Sequence, residues 1–271
     1  MKKITFSPVE DENVFVNAYL HETLPEITNF RNKFPAVVIC PGGGYVFLSE
    51  READPVALRY FAAGYNVFIL YYSVGEKAAD FRPLKELSET VIAIRKNAAE
   101  WLVDTDKIAV CGFSAGGHLA ASLGTLWNHP DFLKNYDMQG GLNQPNAMIL
   151  SYPVITADER FAHRGSIETV SGSVLGTDKA NFFSLENRVS KSTVPTFIWH
   201  TVEDMTVPIE NSIRFISALQ EHGIPYECHF FPTGGHGMSV CTEEVASFDS
   251  YNARWMDFSI QWLNKTFCVQ L

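Results

Sequence analysis

The sequence predicts an α/β fold, a mostly parallel sheet with an antiparallel start and helices on both faces. Three observations predict it. Short, continuously apolar and β-branched runs recur along the chain, the signature of strands covered on both sides. Between them lie stretches whose apolar residues step by three and four, as on one face of a helix. The opening segment instead alternates residue by residue, as a strand with one buried face does.

The first strands are expected at Ile4–Phe6 and Val14–Leu20, with Asp11, Glu12 and Asn13 as the turn between them. Buried strands follow at Ala36–Cys40, Val67–Tyr71, Ile108–Cys111, Ala147–Leu150 and Phe197–Trp199, with a more mixed run at Tyr226–Phe231. Ser49 and Glu52 fit an S-x-x-E capping box that opens a helix to about Ala63, ended by Gly64. Leu84, Leu87, Val91, Ile94, Ala98 and Trp101 mark one face of the next helix. Pro208 fits the first turn of another, carrying Ile213, Ile216 and Leu219 before Gly223. Thr242 is expected to cap the last, which runs to about Leu263.

Bulk properties bound the function. The 271 residues are 46% hydrophobic and 19% charged, which suits a single domain over 1–271 with a small cap-like insertion around 153–193. A net charge of −10 without a Lys/Arg patch argues against nucleic acid as a partner. Neither a signal-peptide core nor a run of roughly 18 apolar residues is present, so no membrane partner is expected. Cys40, Cys111 and Cys228 fall inside apolar strand-like runs, while Cys241 and Cys268 lie apart. This usage predicts reduced core thiols and a cytoplasmic location. No CxxC or HExxH spacing suggests a metal, and no cofactor is expected.

In sheets of this class, chemistry gathers where strands end. After Ile108–Cys111 comes Gly112-Phe113-Ser114-Ala115-Gly116, a G-x-S-x-G turn followed by a small-residue helix. A strand that reverses into a helix so tightly strains the serine and leaves no room for Cβ atoms beside it. Ser114 is thus the candidate nucleophile. The Ala115 N–H, at a helix start, is a candidate oxyanion donor. A plain helix-capping turn is the rival reading, but the flanking strand and helix disfavour it. After Ala36–Cys40 comes Pro41-Gly42-Gly43-Gly44-Tyr45, where Gly43 and Gly44 are candidate donors. A phosphate cradle would need a P-loop lysine that is missing.

The candidate base is His236, framed by Gly234, Gly235 and Gly237 after the last strand. The acid should follow the penultimate strand, where Asp204 leads and Glu203 is the alternative. His200 shares that loop as a structural partner, and His118 lies behind the nucleophile as packing. His163 reads as a loop or surface residue. The order Ser…Asp…His is that of α/β-hydrolases. Tyr45, Phe47, Met205 and Val207 flank these positions and are candidate substrate-binding residues, with core packing as the alternative.

CPGGGY, LSEREADPVALRYFAAGYNVFILYYSVG and GFSAGGH resemble the α/β-hydrolase superfamily, in particular bacterial esterases related to acetyl-xylan and feruloyl esterase modules. Hormone-sensitive-lipase-like carboxylesterases carry histidine where this chain has Pro41. The resemblance implies a serine carboxylesterase acting on short-chain esters, acetylated sugars or xylo-oligosaccharides. A serine peptidase of prolyl oligopeptidase type and a non-catalytic hydrolase-fold binding protein are the alternatives.

Overall fold

The computed structural model describes residues 1–23, 26 and 32–269. Among these residues eight strands form one sheet: β1 (Lys2–Phe6), β2 (Phe15–Leu20), β3 (Phe34–Cys40), β4 (Asn66–Tyr71), β5 (Val103–Phe113), β6 (Ala147–Ser151), β7 (Thr196–Thr201) and β8 (Tyr226–Phe231). Their spatial order is β1-β2-β4-β3-β5-β6-β7-β8. β2 runs antiparallel to β1 and β4, and the pairs from β4 through β8 are parallel.

The continuous apolar runs are explained by cores on both faces. Along β3, Ala36, Val38 and Cys40 enter one core while Val37 and Ile39 enter the other. The first core is closed by α2 (Arg82–Lys96), α3 (Ala115–Leu126) and α7 (Glu210–His222), through Leu87, Leu123 and Leu219 among others. The second is closed by α1 (Asp54–Ala62) and α8 (Arg254–Thr266), through Tyr60, Trp255 and Leu263. Trp255 stacks on Trp199 of β7 with ring centroids 4.9 Å apart.

The remaining helices are short. α4 (Pro130–Leu133) follows α3; α5 (Arg164–Ser171) and α6 (Asp178–Phe182) lie between β6 and β7. In that segment Val154, Ala157, Ile167, Leu175 and Ala180 form a third small core that includes Val207.

Several boundaries differ from the sequence expectation. Ser49 caps nothing with its side chain; Glu50–Glu52 form one 3-10 turn, and α1 starts only at Asp54. α2 ends at Lys96, so Ala98 and Trp101 lie beyond it, with Trp101 packed on Phe6 and Phe68. α7 starts two residues after Pro208. Thr242 precedes a separate 3-10 turn, and α8 starts at Arg254. Cys228 is exposed because β8 is an edge strand whose residues are only partly covered; Cys40, Cys111 and Cys241 are buried and Cys268 is exposed. Among the described residues no helix is long and apolar enough to cross a membrane.

Candidate active site

β5 delivers Ser114 into a tight turn. Its backbone sits at φ 53°, ψ −117°, a region most side chains avoid. The strain is held from three sides: Ser114 N–H donates to Ser151 O (3.0 Å), and Ser114 O accepts from His118 N–H (3.1 Å) and Val154 N–H (3.0 Å). Gly116 explains the motif's second glycine. A Cβ there would fall 2.1 Å from Cys40 O and 2.4 Å from Pro41 O, so the absent side chain lets α3 press against the end of β3.

That contact brings the Pro41–Tyr45 loop beside the serine. Gly43 adopts φ 127°, where a Cβ would strike Phe47 O at 2.0 Å. Gly42 N–H is taken by the Glu52 carboxylate (2.8 Å). The N–H groups of Gly43, Gly44 and Ala115 meet no acceptor among the described residues. Gly43 and Gly44 line the same cleft as Ser114, and Ala115 follows it at the start of α3; unpaired amides of this kind are what a developing oxyanion requires.

His236 Nε2 stands 2.8 Å from Ser114 Oγ, and its Nδ1 stands 2.6 Å from Asp204 Oδ2. A carboxylate only accepts, so Nδ1 carries the proton and Nε2 accepts the serine hydroxyl. Asp204 is buried at the end of β7. Burial would raise its pKa, but hydrogen bonds from His200 and His236, with Val207 N–H, outweigh it and hold the carboxyl well below the usual carboxylate range. Its Oδ1 accepts Thr206 N–H and Val207 N–H, both at 2.9 Å. The fully buried His200 directs Nε2–H at Val207 O (2.9 Å) and Asp204 Oδ2 (3.2 Å), while its Nδ1 accepts from Ser212 Oγ (2.7 Å). Glu203 points elsewhere, accepting Gly234 N–H at 3.3 Å.

Ser114 and His236 open into a cleft of about 370 Å³ lined also by Gly43, Gly44, Val46, Phe47, Arg51, Glu52, His163, Thr206 and Gly237. A larger groove of about 550 Å³ between Trp127 and Gly141 holds none of these groups. Of the candidate substrate-binding residues, Phe47 lines the cleft and is 61% exposed. The other three do not. Tyr45 is fully buried, with its hydroxyl donating to His118 Nδ1 (2.9 Å). Val207 is buried in the third core and serves Asp204 through its backbone. Met205 is 91% exposed and lies outside the cleft lining, which Thr206 joins instead.

Two cleft residues escape a sequence reading. His163 belongs to the β6–β7 segment, and its Nδ1 accepts from Ser166 Oγ (2.8 Å). Burial first, then the nearby His236, lower its pKa. No motif marks it, because only the fold brings it to Gly44. Glu52 fits a capping box in sequence, yet its side chain turns inward. Among the described residues no group of three or more His, Cys, Asp or Glu side chains could hold a metal ion.

The BD-FAE family profile matches residues 24–219, most of the chain and all of the glycine loop and serine turn. The chain belongs to the BD-FAE family. This BD-FAE α/β-hydrolase is 37% identical over 238 residues to endo-1,4-beta-xylanase B of Butyrivibrio fibrisolvens, covering 85% of the chain. It is 29% identical over 214 residues to an acetylxylan esterase of Xylanibacter ruminicola, covering 76% of the chain. The chain spans only 35% and 42% of the lengths of these two relatives. The crystal structure of an acetyl ester-xyloside bifunctional hydrolase from Caldicellulosiruptor lactoaceticus superposes with a TM-score of 0.83 at 30% identity, covering 98% of this chain and 97% of that one.

Proposed function

We propose that this chain is a serine carboxylesterase that removes short acyl groups, acetyl groups on sugars or xylo-oligosaccharides foremost, through an acyl-enzyme. The observation that carries the reading is the unbroken hydrogen-bonded line Asp204–His236–Ser114, ending among three free backbone donors. His236 takes the Ser114 proton as the oxygen attacks the ester carbonyl. Gly43, Gly44 and Ala115 N–H groups receive the oxyanion. Asp204 holds the imidazole tautomer and stabilises its charged form, and His236 then protonates the leaving alcohol. Water repeats the sequence and frees the acid.

Substrate size follows from the cleft. About 370 Å³ suits a small ester, and the β6–β7 segment, whose helices are only eight and five residues long, adds His163 and Gly165 to the cleft wall. The names of the xylan-linked relatives support an acetylated sugar as the alcohol half.

Ser114→Ala should lower kcat by a factor on the order of 10⁶ on p-nitrophenyl acetate. Undiminished hydrolysis by the purified variant refutes the nucleophile. An acyl-chain series beside acetylated xylo-oligosaccharides tests the substrate, with highest kcat/KM expected for acetyl. Faster cleavage of aminoacyl amides than of any ester would make the chain a peptidase instead.

A further inference from the structure

Glu52 has no part in the acyl-transfer scheme, yet it is a carboxylate only 3% exposed within the cleft wall. Burying a carboxylate costs several kcal/mol unless its lone pairs are met, and no Lys, Arg or His nitrogen lies within 4.0 Å of it among the described residues. What meets it is the catalytic framework. Oε2 accepts Gly42 N–H at 2.8 Å, and Oε1 accepts the Tyr152 hydroxyl at 2.6 Å. Tyr152 in turn accepts Ser239 N–H at 2.9 Å, three residues beyond His236, and lays its ring edge-on to the imidazole at 5.1 Å. Ser239 Oγ returns to Arg51 O at 2.5 Å.

One carboxylate therefore fastens the loop of the oxyanion donors to the loop of the base. A Cβ at Gly42 would lie 2.7 Å from Glu52 Oε2 and 3.0 Å from Ser114 Cβ, so the fastening point directly abuts the nucleophile. Occupying the Gly42 N–H turns that amide away from the reaction and leaves Gly43 and Gly44 as donors. The Tyr152 side chain that bonds Oε1 also lies edge-on to the imidazole at 5.1 Å, and Glu52 and His236 line the same cleft.

We propose that Glu52 is a positioning residue that registers the donor loop against the His236 loop and favours the imidazolium formed during acyl transfer. The proposal rests on Ser114 and His236 being the nucleophile and base. Burial pushes the Glu52 pKa up, and the Tyr152 and Gly42 bonds act against that rise. Arg51 is its charged neighbour along the chain; Tyr152 just past β6, Tyr72 just past β4 and Cys111 within β5 are the other titratable groups near it. Asp204 and His163 also face the imidazole.

The test compares wild type, Glu52→Gln and Tyr152→Phe by kcat, KM, and the pH profile of kcat/KM on p-nitrophenyl acetate, with fluorophosphonate labelling of Ser114. Glu52→Gln keeps the volume and the Gly42 bond but removes the charge. It should lower kcat roughly 10- to 100-fold, by analogy with the loss on removing the hydrogen-bond partners of metal ligands, with KM nearly unchanged. The acid limb of the profile should move to lower pH, because the imidazolium loses a stabilising anion. A merely structural role would leave that limb in place. Glu52→Gln with wild-type kcat and an unmoved limb overturns the proposal. If that variant does not fold, Tyr152→Phe carries the test, since it removes only the bridging hydroxyl; an unchanged kcat and limb there overturn it as well. Failure of the probe to label Ser114 in the wild type refutes the nucleophile, and Glu52's role with it.

Discussion

Asp204→Asn asks whether the carboxylate works by fixing a tautomer. In the native site Oδ1 accepts two backbone N–H groups at 2.9 Å, and Oδ2 receives His236 Nδ1 at 2.6 Å. An asparagine has one acceptor oxygen and one donor NH₂. If the oxygen keeps the Thr206 and Val207 amides, the NH₂ faces His236 Nδ1 and forces the ring proton onto Nε2, which can no longer accept from Ser114. Flipping the amide would aim NH₂ at both backbone donors and strand them, at about 1–3 kcal/mol each. The two amides thus lock in the unproductive tautomer, while His200 keeps Val207 O as its acceptor. The same exchange in the triad of a chymotrypsin-like protease lowers kcat by a factor of about 10⁴, or about 5 kcal/mol at the transition state, and a similar loss is expected here. Steady-state kinetics on p-nitrophenyl acetate at pH 7–8 reads it directly. A loss below about tenfold, alongside a large loss in Glu203→Gln, would refute the tautomer argument and move the acid to Glu203.

Other consequences follow from single contacts. His118 is fully buried, and burial lowers its pKa from 6.5 to about 4. The unfolded chain therefore binds more protons between those values, so stability is full above pH 6.5 and falls toward pH 4 by about 3 kcal/mol. Urea unfolding at pH 4.5 and 7.5 should show that slope flattened in His118→Gln, and an equal slope in both proteins would dismiss the histidine. Gly116→Ala places its Cβ against two backbone oxygens and should cost about 1–3 kcal/mol, read as a fall in Tm together with a fall in kcat. Phe47→Ala should raise KM for aromatic or acylated substrates by up to roughly tenfold without changing Tm, because the ring is exposed at the cleft. Equal KM values would remove Phe47 from the substrate site.

The fold was legible wherever a single physical rule dictated residue type. β3, β6, β7 and the second half of β5, from Ile108, are covered on both faces, so no polar residue interrupts their centres, and runs such as AVVIC stand out. The serine turn was legible for a steric reason, since no side chain fits at Gly116 beside Cys40 O. Sequence adjacency misled in the loops. Tyr45 and Val207 neighbour Gly44 and Thr206 along the chain, but successive side chains leave a loop in different directions, and both turn into cores. Cys228 misled through topology: it stands beside apolar residues in a mixed run, yet that run, β8, has a neighbour only on the β7 side.

Glu52 is the most instructive case, because the local rule that explained it was sufficient in sequence and irrelevant in space. S-x-x-E before an apolar stretch satisfies a helix start, but the helix begins after Ala53 and Ser49 offers no cap. The carboxylate finds better donors 10 and 100 residues away, at Gly42 and Tyr152. No periodicity can report a bond between loops that only a closed sheet brings together. Yet the requirement is not arbitrary. Backbone donors aimed at an oxyanion must stay unpaired in the resting protein, so their loop is held through its carbonyls and neighbouring amides instead. Pro41, Gly42, Gly43 and Tyr45 carbonyls each accept a hydrogen bond, and Glu52 adds a buried acceptor at the Gly42 N–H while leaving those of Gly43 and Gly44 without one.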